Sequence, residues 1–466
     1  MTTREMLEDV ARRAADYLES LAERPVGATV TLEAMRAALG GDLPERGAPP
    51  EKVVARLAEA ADPGIVASAG PRYFGFVVGG SLPAAVGADW LTTVWDQNAG
   101  LYVLSPANSV CEESAGRWIV ELLGLPAATS VGFVTGCQAA NFSALAAARH
   151  EVLDRHGWDV ETRGLFGAPE IEVVVSEEAH VTVHTALQML GLGRDRVRKV
   201  PCDGQGRMVA AKLVETLGPL AGRPTIVCAQ AGNVNTGAID PLEEIGALCR
   251  EQGAWFHVDG AFGLWAAASP ALAPRLAGVA RADSWATDAH KWLNVPYDSG
   301  IVLCAHPAAH RAALTTSASY LVQTQGAERD PFEWTPEFSR RARGFAVWAA
   351  LQSLGRRGVA DLVERSCAQA RRFAELLGAE AGIEILNEVV LNQVLVRFAP
   401  PGGGDAAATD EFTRAVVRRV QETGTLWLSG TTWQGRAAMR ISVCNWSTGK
   451  ADVERSAAAI LTAAGR

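Results

Sequence analysis

The sequence predicts an α/β protein with a mostly parallel central sheet and a C-terminal α+β domain. Three observations predict it. Between about residues 130 and 304, short β-branched runs alternate with helical patterns, which reads as a sheet covered on both faces. Beyond residue 340 a long helical stretch gives way to a second set of strands and helices. Of 466 residues, 48% are apolar and 20% charged, enough material for a sizeable core and incompatible with a disordered chain.

The N-terminal segment is helical by pattern. Leu7, Val10, Ala11, Ala14, Leu18 and Leu21 recur at three- and four-residue steps, and Pro25 ends the run. Residues 26–70 hold shorter helical pieces broken by the turn-rich stretch 40–50 (GGDLPERGAPP). A one-sided apolar helix at a terminus needs a cover, and a partner subunit is one candidate.

In the central region the strand-like runs are Val131–Thr135, Ile171–Ser176, Thr225–Ala229, Trp255–Val258, Ser284–Thr287 and Ile301–Cys304. About a dozen residues separate the last two, too few for a helical crossover, so the last strand is expected to run antiparallel. Residues 340–378 read as a helix pair. Ile383–Leu386, Val390–Phe398, Leu426–Leu428 and Met439–Val443 follow as strands, with helices near 409–422 and 451–464. The stretch 400–405 (PPGGGD) reads as a hairpin-type loop. The organisation expected is a helical segment over 1–75 packing on a partner subunit, a large domain over 76–350 and a small domain over 351–466.

Composition excludes several roles. The net charge is −9 and no Lys/Arg-rich run stands out, so a nucleic-acid role has no electrostatic footprint. Apolar stretches are interrupted well short of a membrane span, and the first twenty residues lack an apolar signal core. A cytoplasmic protein is expected. The eight cysteines are scattered without a C-x-x-C pair, as reduced core residues would be. The pairs His180/His184 and His306/His310 have helical spacing but no accompanying Glu or Cys/Asp cluster, so no metal site is expected.

Four short stretches carry the chemistry. Lys291, in Asp288-Ala-His-Lys-Trp-Leu-Asn294, follows a strand among apolar residues. Such surroundings disfavour the ammonium form and free the amine to form a Schiff base with an aldehyde. Asp259 ends the run Trp255-Phe-His-Val-Asp259, at the sheet edge where open α/β sheets bind ligands. A carboxylate there can hold a pyridinium nitrogen protonated. The strand–turn–helix sequence Phe133-Val-Thr-Gly136-Cys137-Gln138-Ala-Ala-Asn141 offers N–H groups to a phosphate. His180 lies just after another strand, at the same edge.

Together these stretches resemble the pyridoxal-phosphate-dependent group II amino-acid decarboxylases, over roughly residues 70–450. The H-V-D-x-A and H-K-W pair is the most specific part, joined by Ser339-Arg-Arg-Ala-Arg343 and Met439-Arg-Ile-Ser-Val-Cys-Asn445. The resemblance implies a fold-type I, homodimeric enzyme with pyridoxal 5'-phosphate as cofactor and an L-amino acid as substrate. It implies that Lys291 anchors the cofactor, Asp259 partners its ring nitrogen, His180 stacks on the ring and Ala261 lets it lie close. Gly136, Cys137 and Gln138 take the phosphate-turn positions, and His290 a further phosphate contact. Residues 231–237 fall where relatives line the site, and Tyr73, Phe74, Phe76, Trp95 and Tyr102 where relatives line the side-chain pocket, which favours an aromatic or apolar substrate. The amine is the product implied. The region of the proton-delivering loop tyrosine is short here and holds Tyr320 alone, so oxidative release of an aldehyde, or another lyase or aminotransferase reaction, stands as the alternative.

Overall fold

The computed structural model of the protein describes residues 1–315 and 328–466. Seven strands form the larger sheet: β1 (Ser130–Val134), β2 (Glu172–Ser176), β3 (Arg198–Val200), β4 (Thr225–Gln230), β5 (Trp255–Asp259), β6 (Ser284–Asp288) and β7 (Gly300–Cys304). Their spatial order is β1-β7-β6-β5-β4-β2-β3. Every residue of β1, β2 and β4–β7 is buried, as strands covered on both faces require. The contacts β2/β3, β2/β4, β4/β5 and β5/β6 are parallel. As the short connection predicts, β7 runs antiparallel, wedged between β6 and β1.

Register decides what meets at the edge. Gln230 pairs with Asp259, Asp259 with Ala286, and Gly300 with both Asp288 and Val134. The carboxyl ends of β1, β4, β5 and β6 therefore finish at one level. The chain leaves them into the segments that carry residues 135–138, 231–233, 260–261 and 289–291.

The smaller sheet has the order β10-β11-β9-β8, from β8 (Ile383–Ile385), β9 (Gln393–Phe398), β10 (Ser429–Trp433) and β11 (Arg436–Ser442). Two expectations are corrected here. PPGGGD joins β9 to the helix Ala406–Glu422 instead of closing a hairpin; the hairpin is β10/β11, turning at Gln434 and Gly435, both with positive φ. Leu426–Leu428 is extended and apolar but is not part of the sheet strand. The N–H and C=O of Trp427 pair with Arg72 and Phe74, so the N-terminal segment takes the place of a sheet neighbour. The edge strand β3, short and half exposed, gave no apolar run to read. The expected helix pair is present: the helical run Gly344–Gly378 is two helices meeting at Gly355, whose φ of 59° is non-helical.

Two compact units result. Residues 1–78 group with 372–386 and 395–466, and residues 79–371 group with 387–394. The first unit opens with the helix Thr3–Ser20, closed by a capping box in which Thr2 and Glu5 exchange side-chain-to-backbone hydrogen bonds. That helix buries none of its residues, and Leu7 and Leu18 are exposed. Among the described residues, no helix is long and apolar enough to cross a membrane.

Candidate active site

Asp259 ends β5 and is 4% exposed. Its Oδ1 accepts from the N–H of Ala261 at 3.1 Å and from the Cys137 thiol at 3.4 Å; its Oδ2 accepts from Asn141 Nδ2 at 3.2 Å. A buried carboxylate costs several kcal/mol unless it is paired or hydrogen-bonded, and these three donors meet that need. Ala261 packs against the cluster that contains Val134 and Cys137.

Lys291 lies just beyond β6, and its Nζ makes an ion pair with Asp288 Oδ2 at 2.9 Å. This corrects the expectation of a free amine in apolar surroundings. Burial pulls the lysine pKa down, but the charges of Asp288 and Asp259 and the hydrogen bond to Asp288 outweigh it and hold the ammonium above its ordinary value. The apolar neighbours seen in the sequence, Trp292, Leu293 and Val295, are core residues.

The helix Cys137–Asp154 starts directly from β1. Gly136 gives it no side-chain cap, and a Cβ there would press on His290 Cε1 at 3.2 Å. The first helical N–H, of Cys137, donates to Asp288 Oδ1 at 2.6 Å, and the Cys137 thiol faces Asp259. Cys137 is thereby engaged with carboxylates, while the N–H groups of Gln138 and Ala139 have no partner among the described residues. His290 accepts from the Ser299 N–H at Nδ1, so its proton sits at Nε2, 3.4 Å from Asp288 Oδ1. Burial lowers its pKa and keeps the ring neutral. His180 caps the helix Val181–Met189, with Nδ1 2.8 Å from Thr182 Oγ1. His184 faces the Arg194 carbonyl and His306 faces Asp283, so neither helically spaced histidine pair shares a centre.

Two stretches singled out in the sequence acquire residue-level roles only in the fold. Asn233, 1% exposed on the segment after β4, has an Nδ2 without a hydrogen-bond partner, while its Oδ1 accepts from the N–H groups of Asn235 and Thr236. The basic motif 339–343 turns out to be scaffolding. Arg340 is buried against Glu112 at 2.6 Å and donates to the carbonyls of Ala99 and Phe133, and Arg343 pairs with Asp298. Of the aromatics expected around a substrate, Tyr73 stacks on Trp427 and Phe74 packs edge-on against Phe373, both as core, whereas Phe76 and Trp95 are exposed. Tyr320 lies outside the described residues.

These residues suit pyridoxal phosphate. The uncapped helix end has two N–H groups unspent and a positive dipole for a phosphate. Asp259 supplies the carboxylate for a ring nitrogen, Lys291 the amine, and Asn233 a buried donor still without an acceptor.

Comparisons with known proteins agree. The profile of the pyridoxal-dependent decarboxylase conserved domain matches residues 33–399. The chain is 26% identical to the aromatic-L-amino-acid decarboxylase of Bacillus atrophaeus, over 92% of this chain and 88% of that one. It is 27% identical to the acidic amino acid decarboxylase GADL1 of Bos taurus, over 92% and 83%. Its fold matches that of Oryza sativa TDC, solved with PLP and tryptamine, at a TM-score of 0.91 and 24% identity, over 99% of this chain and 97% of that one. A carboxylate, a lysine and an uncapped helix end at one sheet edge thus come with a family match across most of the chain: this protein belongs to the pyridoxal-dependent decarboxylases.

Proposed function

We propose that this pyridoxal-phosphate-dependent carboxy-lyase removes the α-carboxyl group of an L-amino acid with an aromatic or apolar side chain and releases the amine, working as a homodimer in the cytoplasm. The observation that carries the reading is the convergence of Lys291, Asp259 and the open N-terminus of the helix 137–154 on one edge of the sheet.

Pyridoxal phosphate, when bound, supplies a protonated pyridine ring that takes up the electron pair left as CO2 departs. The chain's own residues prepare the site for it. Lys291 offers the amine, and Asp288, 2.9 Å away, holds it in place as the ammonium until the contact is displaced. Asp259, held by its three donors, keeps a proton on the ring nitrogen. Gln138 and Ala139 present N–H groups to the phosphate, and His290 adds its Nε2–H. His180, its Nδ1 tied to Thr182, supplies the imidazole that lies against the ring.

An aromatic-L-amino-acid decarboxylase among the relatives supports the aromatic side chain, as do the exposed Phe76 and Trp95. The homodimer is supported by a capped 18-residue amphipathic helix that buries none of its residues. Eight free thiols suit a reducing compartment.

A panel of the common L-amino acids, with CO2, amine, ammonia and peroxide quantified in air, tests the reading. Amine equal to CO2, greatest with an aromatic substrate, is the expected result. Ammonia and peroxide matching CO2 without amine would overturn it in favour of the oxidative route, in which amino acid, O2 and water give aldehyde, CO2, ammonia and H2O2.

A further inference from the structure

Asn141 lies on the helix 137–154, fully buried, and is bonded at both ends of its amide. Nδ2 is 3.2 Å from Asp259 Oδ2 and 3.3 Å from Thr182 Oγ1, while Oδ1 is 2.9 Å from His257 Nε2. The neighbours decide which way the amide points. A carboxylate only accepts, so the NH2 end faces Asp259 and the carbonyl faces His257. His257 Nε2 must then carry a proton. That ring is fully buried, and burial pushes its pKa down to about 4, so it is neutral and its Nδ1 is bare. Nδ1 accepts from the Ser284 hydroxyl at 2.9 Å, and Ser284 Oγ in turn accepts from Trp255 Nε1–H at 2.9 Å.

The other arm follows the same logic. Thr182 Oγ1 accepts from Asn141 and turns its own hydrogen to His180 Nδ1 at 2.8 Å, with the Thr182 N–H adding a longer bond at 3.4 Å. Nδ1 of His180 is therefore an acceptor, which leaves the ring proton at Nε2. The amide of Asn141 cannot be reversed without turning its carbonyl on the Asp259 carboxylate, and the Thr182 N–H, which can only donate, marks His180 Nδ1 as the acceptor.

We propose that Asn141 is a positioning residue of this active site, orienting the Asp259 carboxylate directly and fixing the Nε2–H tautomer of His180 through Thr182, with His257 locking the amide in place. The proposal rests on the functional reading above, in which Asp259 and His180 face the cofactor. Neither the core helix nor the strand needs a polar side chain at these positions for packing. A fully connected polar network is how a site holds its geometry to within a few tenths of an ångström.

The test begins with apoenzyme carrying 15N-labelled histidine, its signals assigned with His180→Gln and His257→Gln. Both rings are expected to be protonated at Nε2 with Nδ1 bare. Either ring protonated at Nδ1 in the wild type would overturn the proposal. Thr182→Val keeps the shape and removes the hydroxyl; it is expected to release His180 into a tautomer mixture while His257 stays unchanged, and an unchanged His180 would sink that arm. Asn141→Ala is expected to move the His257 proton to Nδ1 and to lower kcat about ten- to a hundredfold with KM nearly constant, the loss of one hydrogen bond to a charged group. Wild-type kcat in that variant would refute the positioning role. Should Asn141→Ala not fold, the wild-type tautomers and Thr182→Val decide the matter. Expected tautomers with no CO2 from any amino acid would count against the functional reading and in favour of the network.

Discussion

Lys291 Nζ sits 2.9 Å from Asp288 Oδ2, and the other oxygen of the same carboxylate takes the N–H of Cys137. One side chain at the end of β6 thus joins Lys291 to the first turn of the helix 137–154, the pair proposed to anchor the cofactor and hold its phosphate. It also keeps the lysine protonated until something displaces the contact.

Replacing Asp288 with Asn keeps an acceptor for Cys137 and removes the charge. The Lys291 pKa should fall, and the apoenzyme should take up pyridoxal phosphate covalently at lower pH than the wild type. An absorbance titration of uptake rate against pH checks this, and superimposable profiles would contradict it. Because the folded-state lysine is held above its ordinary value near 10.4, the pair stabilises the fold fully below that pH and loses its effect as pH climbs beyond it.

Lys291→Ala should remain folded, by circular dichroism, and lose activity by at least about 10²-fold, since the amine is the proposed anchor of the cofactor. Mass spectrometry after borohydride treatment should find no fixed cofactor. A retained adduct would move the anchor to another lysine.

For Asp259→Ala the loss is electrostatic, and kcat should drop about 10²–10³-fold, a loss comparable to removing a preorganised group in other sites. Its cofactor absorbance should differ from that of the wild type. Unchanged turnover would remove Asp259 from its role.

Gly300 lies between Val134 and Asp288, and a Cβ there would fall 2.4 Å from Gly136 Cα. Both sides are backbone, so the contact cannot relax by a rotamer change. Gly300→Ala should cost about 1–3 kcal/mol and weaken cofactor binding by displacing the turn. Thermal melts with and without cofactor would show both effects, and a wild-type Tm would show that the close approach is absent.

In solution the protein should be a dimer at working concentration, and deleting residues 1–20 should weaken association and expose apolar surface. Light scattering on both forms measures this; a fully active monomer of the intact chain would rule it out.

Much of this was legible in the sequence because its signals are local. The strand runs that lead into Asp259 and Asp288 and the Gly136 turn each declare themselves within ten residues, and the short gap between the last two runs gives the antiparallel direction of β7, whereas the spatial order of the strands does not follow from spacing. What stayed hidden depends on long-range pairing. Nothing near Leu426–Leu428 reveals that its partner is Arg72–Phe74. The sequence shows apolar neighbours of Lys291 but not that Asp288 turns back onto it, so the direction of its pKa shift came out reversed. Asn141 looks like an ordinary helical residue until β5 and the 181–189 helix are brought against it.

The stretch from 289 to 299 returns from β6 to its immediate neighbour β7, and it is also stitched to the segment before the helix Pro83–Trp95. Gly79 donates to the His290 carbonyl, Gly80 to Asn294 Oδ1 and Leu82 to the Asn294 carbonyl, while a Cβ on Gly79 would collide with the Lys291 carbonyl. Lys291 therefore rides on a fixed-length bracket, clamped at both ends and along its flank. Insertions or deletions between Asp288 and Gly300 would shift the amine out of register with Asp259, so the length of this segment should be as intolerant of change as its chemistry.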